Sequence, residues 1–229
     1  MIKKLLRFAK KTILLFFLLS ILSVIVLRYV PVYFTPLMGI RLVEQIGEKK
    51  SPKLYHTWVR YDDISHNLKL AVIASEDQLF YEHKGFDKKQ IQKAIEESKK
   101  GKRRRGASTI SQQTAKNVFL WNGGGWFRKG LEAYFTVLIE LLWSKERIME
   151  IYLNSIEMGY GIYGVEAVAK EHFNKKAAKL TKREAALIAA TLPNPLRYNS
   201  ANPSAYMRKR QRQIVSLMDK IAPVEMGVK

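Results

Sequence analysis

Residues 12–27, Thr-Ile-Leu-Leu-Phe-Phe-Leu-Leu-Ser-Ile-Leu-Ser-Val-Ile-Val-Leu, carry no charge, and Lys3, Lys4, Arg7, Lys10 and Lys11 precede them. At about 1.5 Å per residue this run spans roughly 24 Å, short of a hydrocarbon core of about 30 Å. Lys11 and Arg28 can snorkel, and Tyr29, Tyr33 and Phe34 suit an interface, so the pattern predicts one membrane helix over 12–34 after a basic tail of 1–11. Residues 35–54, punctuated by Pro36, Gly39, Gly47 and Pro52, read as a linker with short elements, and Leu54–Arg60 reads as a strand. From Asn67 onward the apolar period is helical, with helices expected over Leu68–Glu82, Lys88–Lys99, Ser108–Val118, Arg128–Leu153, Gly164–Phe173, Thr181–Thr191 and Pro203–Ile221. Thr181 followed by Glu184 forms a capping-box signature. The expected fold is mainly α over 55–229.

The chain has 229 residues, 47% hydrophobic and 26% charged, which suits one folded domain and excludes both a disordered chain and a polytopic membrane protein. Forty Lys and Arg against twenty Asp and Glu give a net charge of +20, which calls for an anionic partner. The cations before the apolar run, against only Arg28 and Arg41 shortly after it, predict an N-terminus inside and the domain outside. That placement sets nucleic acid aside and favours anionic lipid or a lipid-linked substrate. No small-x-small cleavage site follows the run, so an uncleaved anchor is expected. Without cysteine there is no disulfide, thiol nucleophile or thiolate metal site. His56, His66, His83 and His172 are scattered, so any catalysis rests on carboxylates and cations.

Four segments carry candidate chemistry. If a helix runs through residues 76–83, Glu76, Phe80 and His83 share one face. Glu76 also follows the apolar run Leu70–Ala74, which would desolvate a carboxylate and raise its pKa, the alternative being a solvated helix end. The cation run 99–105 leads into Gly106-Ala107-Ser108-Thr109, where Ser108 as N-cap, with Lys116 two turns on, would make an anion site suited to phosphate. The run itself also fits a solvated loop or a lipid contact. Thr109, Gln112, Gln113, Lys116 and Asn117 offer a hydrogen-bonding surface for sugar hydroxyls or amides. Arg128 and Glu132 stand at i and i+4, a pairing worth about 0.2–0.5 kcal/mol on a helix surface. Lys145, Ile148 and Tyr152 share a face whose main expected job is core packing.

In this order the segments resemble the family 51 glycosyltransferases, the peptidoglycan transglycosylases. The resemblance rests on Glu-Asp-x-x-Phe-x-x-His-x-Gly at 76–85, Gly-Ala-Ser-Thr-Ile-x-Gln-Gln-x-x-Lys-Asn at 106–117, Arg-Lys-x-x-Glu at 128–132 and Lys-x-x-Ile-x-Glu-x-Tyr-x-Asn at 145–154. It covers about residues 55–200 and, with one anchor and no room for a transpeptidase domain, points to the monofunctional form rather than a bifunctional penicillin-binding protein. It implies a lysozyme-like, α-rich domain with a small membrane-proximal lobe. The implied activity is polymerisation of lipid II into β-1,4 glycan at the outer face of a bacterial cytoplasmic (inner) membrane. It implies Glu76 as general base and Glu132 as a second catalytic carboxylate. Lys116, Arg128 and Lys129 would hold the departing diphosphate, with magnesium or manganese able to share its charge although no cofactor is required by the sequence. Ser108, Gln112, Gln113 and Asn117 would line the cleft, and Asp77, His83, Lys145 and Tyr152 would brace it. Partners implied are lipid II, the growing lipid-linked chain, membrane lipids and other cell-wall synthesis and division proteins. Two departures stand out: Gly123-Gly124-Gly125 where members often carry another basic residue, and His172-Phe173 where Tyr-Phe is common.

Two other readings use the same residues. A lysozyme-type hydrolase also needs two carboxylates beside a sugar, although cations in the cleft favour a diphosphate leaving group. A membrane-tethered basic binding module explains the charge and the anchor but leaves the polar segment 108–117 without a purpose.

Overall fold

The computed structural model describes residues 1–49, 51–101 and 106–221. Arg103 to Arg105, the centre of the cation run, lie outside them. Among the described residues there are ten α-helices and three short strands.

Helix α1 (Ile2–Leu27) is long and apolar enough to cross a membrane. It takes in the basic tail and stops before Phe34, because Pro31 lacks an N–H and disfavours α geometry in the residue before it. The stretch expected as linker is half helical. Thr35 caps α2 (Pro36–Gly47) by accepting from Met38 N at 3.3 Å, and Pro36 at the first helical position is preorganised for the turn. Gly39 and Gly47 therefore lie within a helix rather than breaking one. Leu37 and Met38 pack with Tyr163 in a small second core. Of the expected strand 54–60 only Tyr55–His56 (β1) forms.

Helix α3 (His66–Glu76) is the hub. Leu68 to Ala74 are all buried, a helix apolar on every side except for Lys69, whose ammonium reaches Tyr61 O at 3.2 Å. It packs against α9 (Lys182–Thr191) and α10 (Ala205–Ile221). The expected helix 68–82 ends six residues early, since Asp77 adopts φ −160°, ψ 80°. Glu76, Phe80 and His83 thus do not share a helical face. A loop leads to α4 (Lys88–Lys99), capped by Asp87, which accepts from Gln90 N at 2.9 Å.

Helices α5 (Ile110–Phe119), α6 (Trp126–Leu142) and α7 (Lys145–Ser155) form the second packed group. The expected single helix 128–153 is two, because Trp143 is extended and Ser144 starts α7 by accepting from Arg147 N at 3.2 Å. Strands β2 (Glu157–Gly159) and β3 (Ile162–Tyr163) make a hairpin, and β1 joins β3 in parallel with Tyr55 opposite Ile162. Helix α8 (Val165–Phe173) ends at Asn174 in the left-handed region, φ 51°. Thr181 and Glu184 close the expected capping box on α9.

The hairpin's exit depends on Gly164, at φ +77°, where an added Cβ would lie 2.6 Å from Asn154 O. Gly164→Ala should therefore lose more than about 2 kcal/mol of stability. Gly130→Ala, in open space on α6, should gain about 0.5–1 kcal/mol. Thermal unfolding of both variants against the parent measures the contrast.

Candidate active site

The end of α3 and the start of α5 meet at Asp77. Its carboxylate accepts from His83 Nε2 at 2.9 and 3.0 Å and from the first backbone N–H of α5, Ile110 N, at 3.0 Å. Gly85 N donates to His83 Nδ1 at 3.1 Å, which assigns the ring hydrogen to Nε2. One side chain thus terminates α3 and satisfies an orphan donor of α5. The cap of α5 is Thr109, not Ser108. Thr109 Oγ1 accepts from Gln112 N at 3.2 Å and donates to Gly85 O at 2.7 Å, while Gln112 Oε1 accepts from Thr109 N at 3.1 Å. Gln112, expected to line the cleft, is buried closing this capping box. Asn117, expected beside it, is buried too.

Glu76, the last residue of α3, receives Gln113 Nε2 from α5 on Oε2 at 3.0 Å and its neighbour Ser75 Oγ on Oε1 at 3.2 Å. Tyr152 on α7 donates to Gln113 Oε1 at 3.2 Å, which fixes the amide with its NH2 toward Glu76. Burial pushes the Glu76 carboxyl above its ordinary value; the bonds from Gln113 and Ser75 and the charge of Arg210 oppose that rise, and Asp77 adds to it. The Tyr152 hydroxyl is driven well up by burial and stays protonated as a donor.

The second carboxylate has a different setting. Glu132 is 3% exposed, so its pairing with Arg128 is not a surface contact. Arg128 Nη1 donates to Oε2 at 2.8 Å and Lys129 Nζ to Oε1. Lys129 also reaches Ser108 Oγ at 3.4 Å. Burial lowers the Lys116 ammonium; Glu132 and Glu157 raise it, and Arg128 and Lys129 lower it further. A cavity of about 230 Å³ is lined by Glu76, Gln78, Gln90, Lys93 and Ser108 among others. Glu132 does not line it; Lys129, touching both Glu132 and Ser108, joins the two clusters.

Lys145 donates to His83 O at 2.7 Å and Glu140 Oε1 at 2.8 Å, with its ammonium 4.6 Å from the Phe80 ring centre. Glu140 also accepts from Ser111. Sequence reasoning missed Glu140, which lies outside every motif, and it missed the pair Arg41–Glu157 at 3.0 Å, whose partners come from α2 and β2. Arg210, on α10, was missed for the same reason: one cation among many gives no local signal. Among the described residues no group of three or more His, Asp and Glu is placed to hold a metal ion.

The model of the family described as Transglycosylase matches residues 42–219. A "Biosynthetic peptidoglycan transglycosylase" of Bacteroides thetaiotaomicron is 62% identical over 227 residues, covering 98% of this chain and 92% of its own. Proteins of the same description from Bdellovibrio bacteriovorus and Caulobacter vibrioides are 50% and 52% identical over 213 and 194 residues, covering 93% and 85% of this chain and 84% and 82% of their own. With a carboxylate raised by burial on one side and paired cations on the other, and with relatives matched along most of their length, the chain belongs to the transglycosylase family and is a glycosyltransferase.

Proposed function

We propose that this enzyme polymerises lipid II into β-1,4 glycan strands of peptidoglycan, releasing the lipid diphosphate. Glu76 takes the proton from the acceptor 4-hydroxyl as that oxygen bonds to the donor's anomeric carbon. The bond from that carbon to the diphosphate oxygen breaks on the opposite face, so the configuration inverts. Lys116, Arg128 and Lys129 receive the leaving diphosphate's charge, which is stabilisation of charge as it develops. Glu132 organises Arg128 and Lys129 within the groove, Ser108 and Gln113 contact substrate beside Glu76, and Asp77, His83, Lys145 and Tyr152 hold the walls. Residues 12–34 anchor the chain, the tail 1–11 lies inside the cell, and the domain from 55 onward works at the outer face of the inner membrane.

The observation that carries this reading is that Glu76 is served by neutral donors while Glu132 is held by two cations. A two-carboxylate hydrolase needs the second carboxyl as general acid, general base or nucleophile, and Glu132 is committed to Arg128 and Lys129. A binding module gives no reason to bury Glu76 against Gln113.

Glu76→Gln should lower polymerisation of lipid II by about 10²–10⁴-fold, read as glycan product on a gel. A parent-like rate would remove Glu76 as the base. Because burial raises Glu76, the acid limb of kcat/KM should lie above the ordinary carboxylate range, activity being lost as pH falls through it. Gln113→Leu removes a donor that favours the ionised form, so that limb should move to higher pH, as a pH–rate profile of the variant would record.

A further inference from the structure

The end of α1 is built into the domain. The last carbonyls of any helix lack partners within it, and hydrocarbon offers none. Here Trp143 Nε1 joins Arg28 N in donating to Val24 O, at 2.8 Å, and Arg147 donates to Leu27 O through Nε at 3.2 Å and Nη2 at 2.8 Å. Arg147 Nη2 also reaches Val30 O at 2.6 Å, while Nη1 pairs with Glu150 at 2.6 Å and the guanidinium lies 5.3 Å from the Trp58 ring centre. A cation at a helix C-terminus also meets the negative end of its dipole. Lower on α1, Ser20 Oγ is 2.7 Å from the Tyr134 hydroxyl and Phe17 meets the Tyr134 ring edge-on. Val24 is fully buried in the main core.

We propose that Arg147 is a positioning residue that locks the exit of the membrane helix to α7, and so fixes the height and tilt of the groove over the bilayer. Arg147 stands on the same helix as Lys145 and Tyr152, which hold the loop of His83 and the amide of Gln113. Tyr134 meets α1 at Phe17, ten residues below Leu27, so at about 1.5 Å per residue α6 is gripped roughly 15 Å down the span. The two attachments, one at the exit and one at depth, remove the freedom to rock. A substrate whose diphosphate is held at a set level by its own lipid needs a groove held at a matching level. The inference rests on reading α1 as a membrane span.

The chain has no cysteine, so Trp126→Cys, at a fully exposed position on α6, takes a single nitroxide label whose depth in a bilayer disc is read by paramagnetic quenching. One narrow depth is expected in the otherwise unchanged chain and a broadened or shifted depth when Arg147→Met is added. In the same discs Arg147→Met should slow polymerisation of a long-chain lipid-linked substrate by about 10- to 100-fold. A short-chain analogue added from water should keep nearly its parent rate, and Arg147→Lys should restore part of the long-chain rate. An unchanged label depth overturns the proposal, as does an equal fall on both substrates, which would make Arg147 a general stabiliser of the fold. If the parent makes no polymer, the function proposed above fails while the depth measurement still decides this inference.

Discussion

Asp77 holds the site together. A buried carboxylate without partners would cost several kcal/mol, so the folded chain must bring His83 and the start of α5 to it at once. Doing so ends α3 at Glu76, turns the chain away and starts α5 with Gln113 one helical turn inside. The distance from Glu76 to Gln113 is therefore not set by those two residues alone. It follows from the Asp77 bonds, from the Thr109–Gln112 capping box and from Thr109's further bond to Gly85. Gly85 has no room for a side chain there, since a Cβ would lie 2.8 Å from Thr136 Cγ2 on α6. Three helices are thereby indexed to one carboxylate.

Charge is distributed in the groove with the same economy. Each buried carboxylate near Lys116 already has a cation: Glu132 has Arg128 and Lys129, and Glu157 has Arg41. Lys116 feels both acids without an ion pair to either among the described residues. An incoming dianion would meet one uncommitted ammonium and two cations that must be shared with Glu132. Such sharing holds the cations in place before the anion arrives, which is what preorganisation means for a leaving group. The overall +20 says only that an anion is welcome; the proposed mechanism places it beside Arg128 and Lys129.

Several local signals were legible where the chain supplies both partners of a contact within one turn. The Thr181–Glu184 box, the helix over Lys88–Lys99 and the apolar α1 are of that kind. Some misses are local, since Pro31 ends α1 short of Phe34 and Thr35 with Pro36 makes a helix of the expected linker; others come from a side chain spent on a partner outside its own turn. Asp77 breaks an otherwise helical run because its carboxylate serves His83 and Ile110. Trp143 interrupts 128–153, and its indole N–H is spent on Val24 O, 119 residues away in sequence. Gln112 looks like a sugar ligand in composition, and its side chain closes the capping box on Thr109 N. Arg41 and Glu157 come from segments 116 residues apart that carry no motif. The motifs do not say which of their residues spend hydrogen bonds on the scaffold.

The two glutamates show why that distinction matters. By residue type they are interchangeable, and a motif marks both. Their partners separate them: amide and hydroxyl donors can solvate a carboxylate without neutralising it, and they survive its protonation, because Ser75 and Gln113 lose only one favourable contact each. Glu132 instead lies between two cations, Arg128 Nη1 at 2.8 Å and Lys129 Nζ, and its charge holds those two side chains next to each other. Under the proposed mechanism, the identity of the donors is what suits Glu76 to proton transfer and Glu132 to holding Arg128 and Lys129.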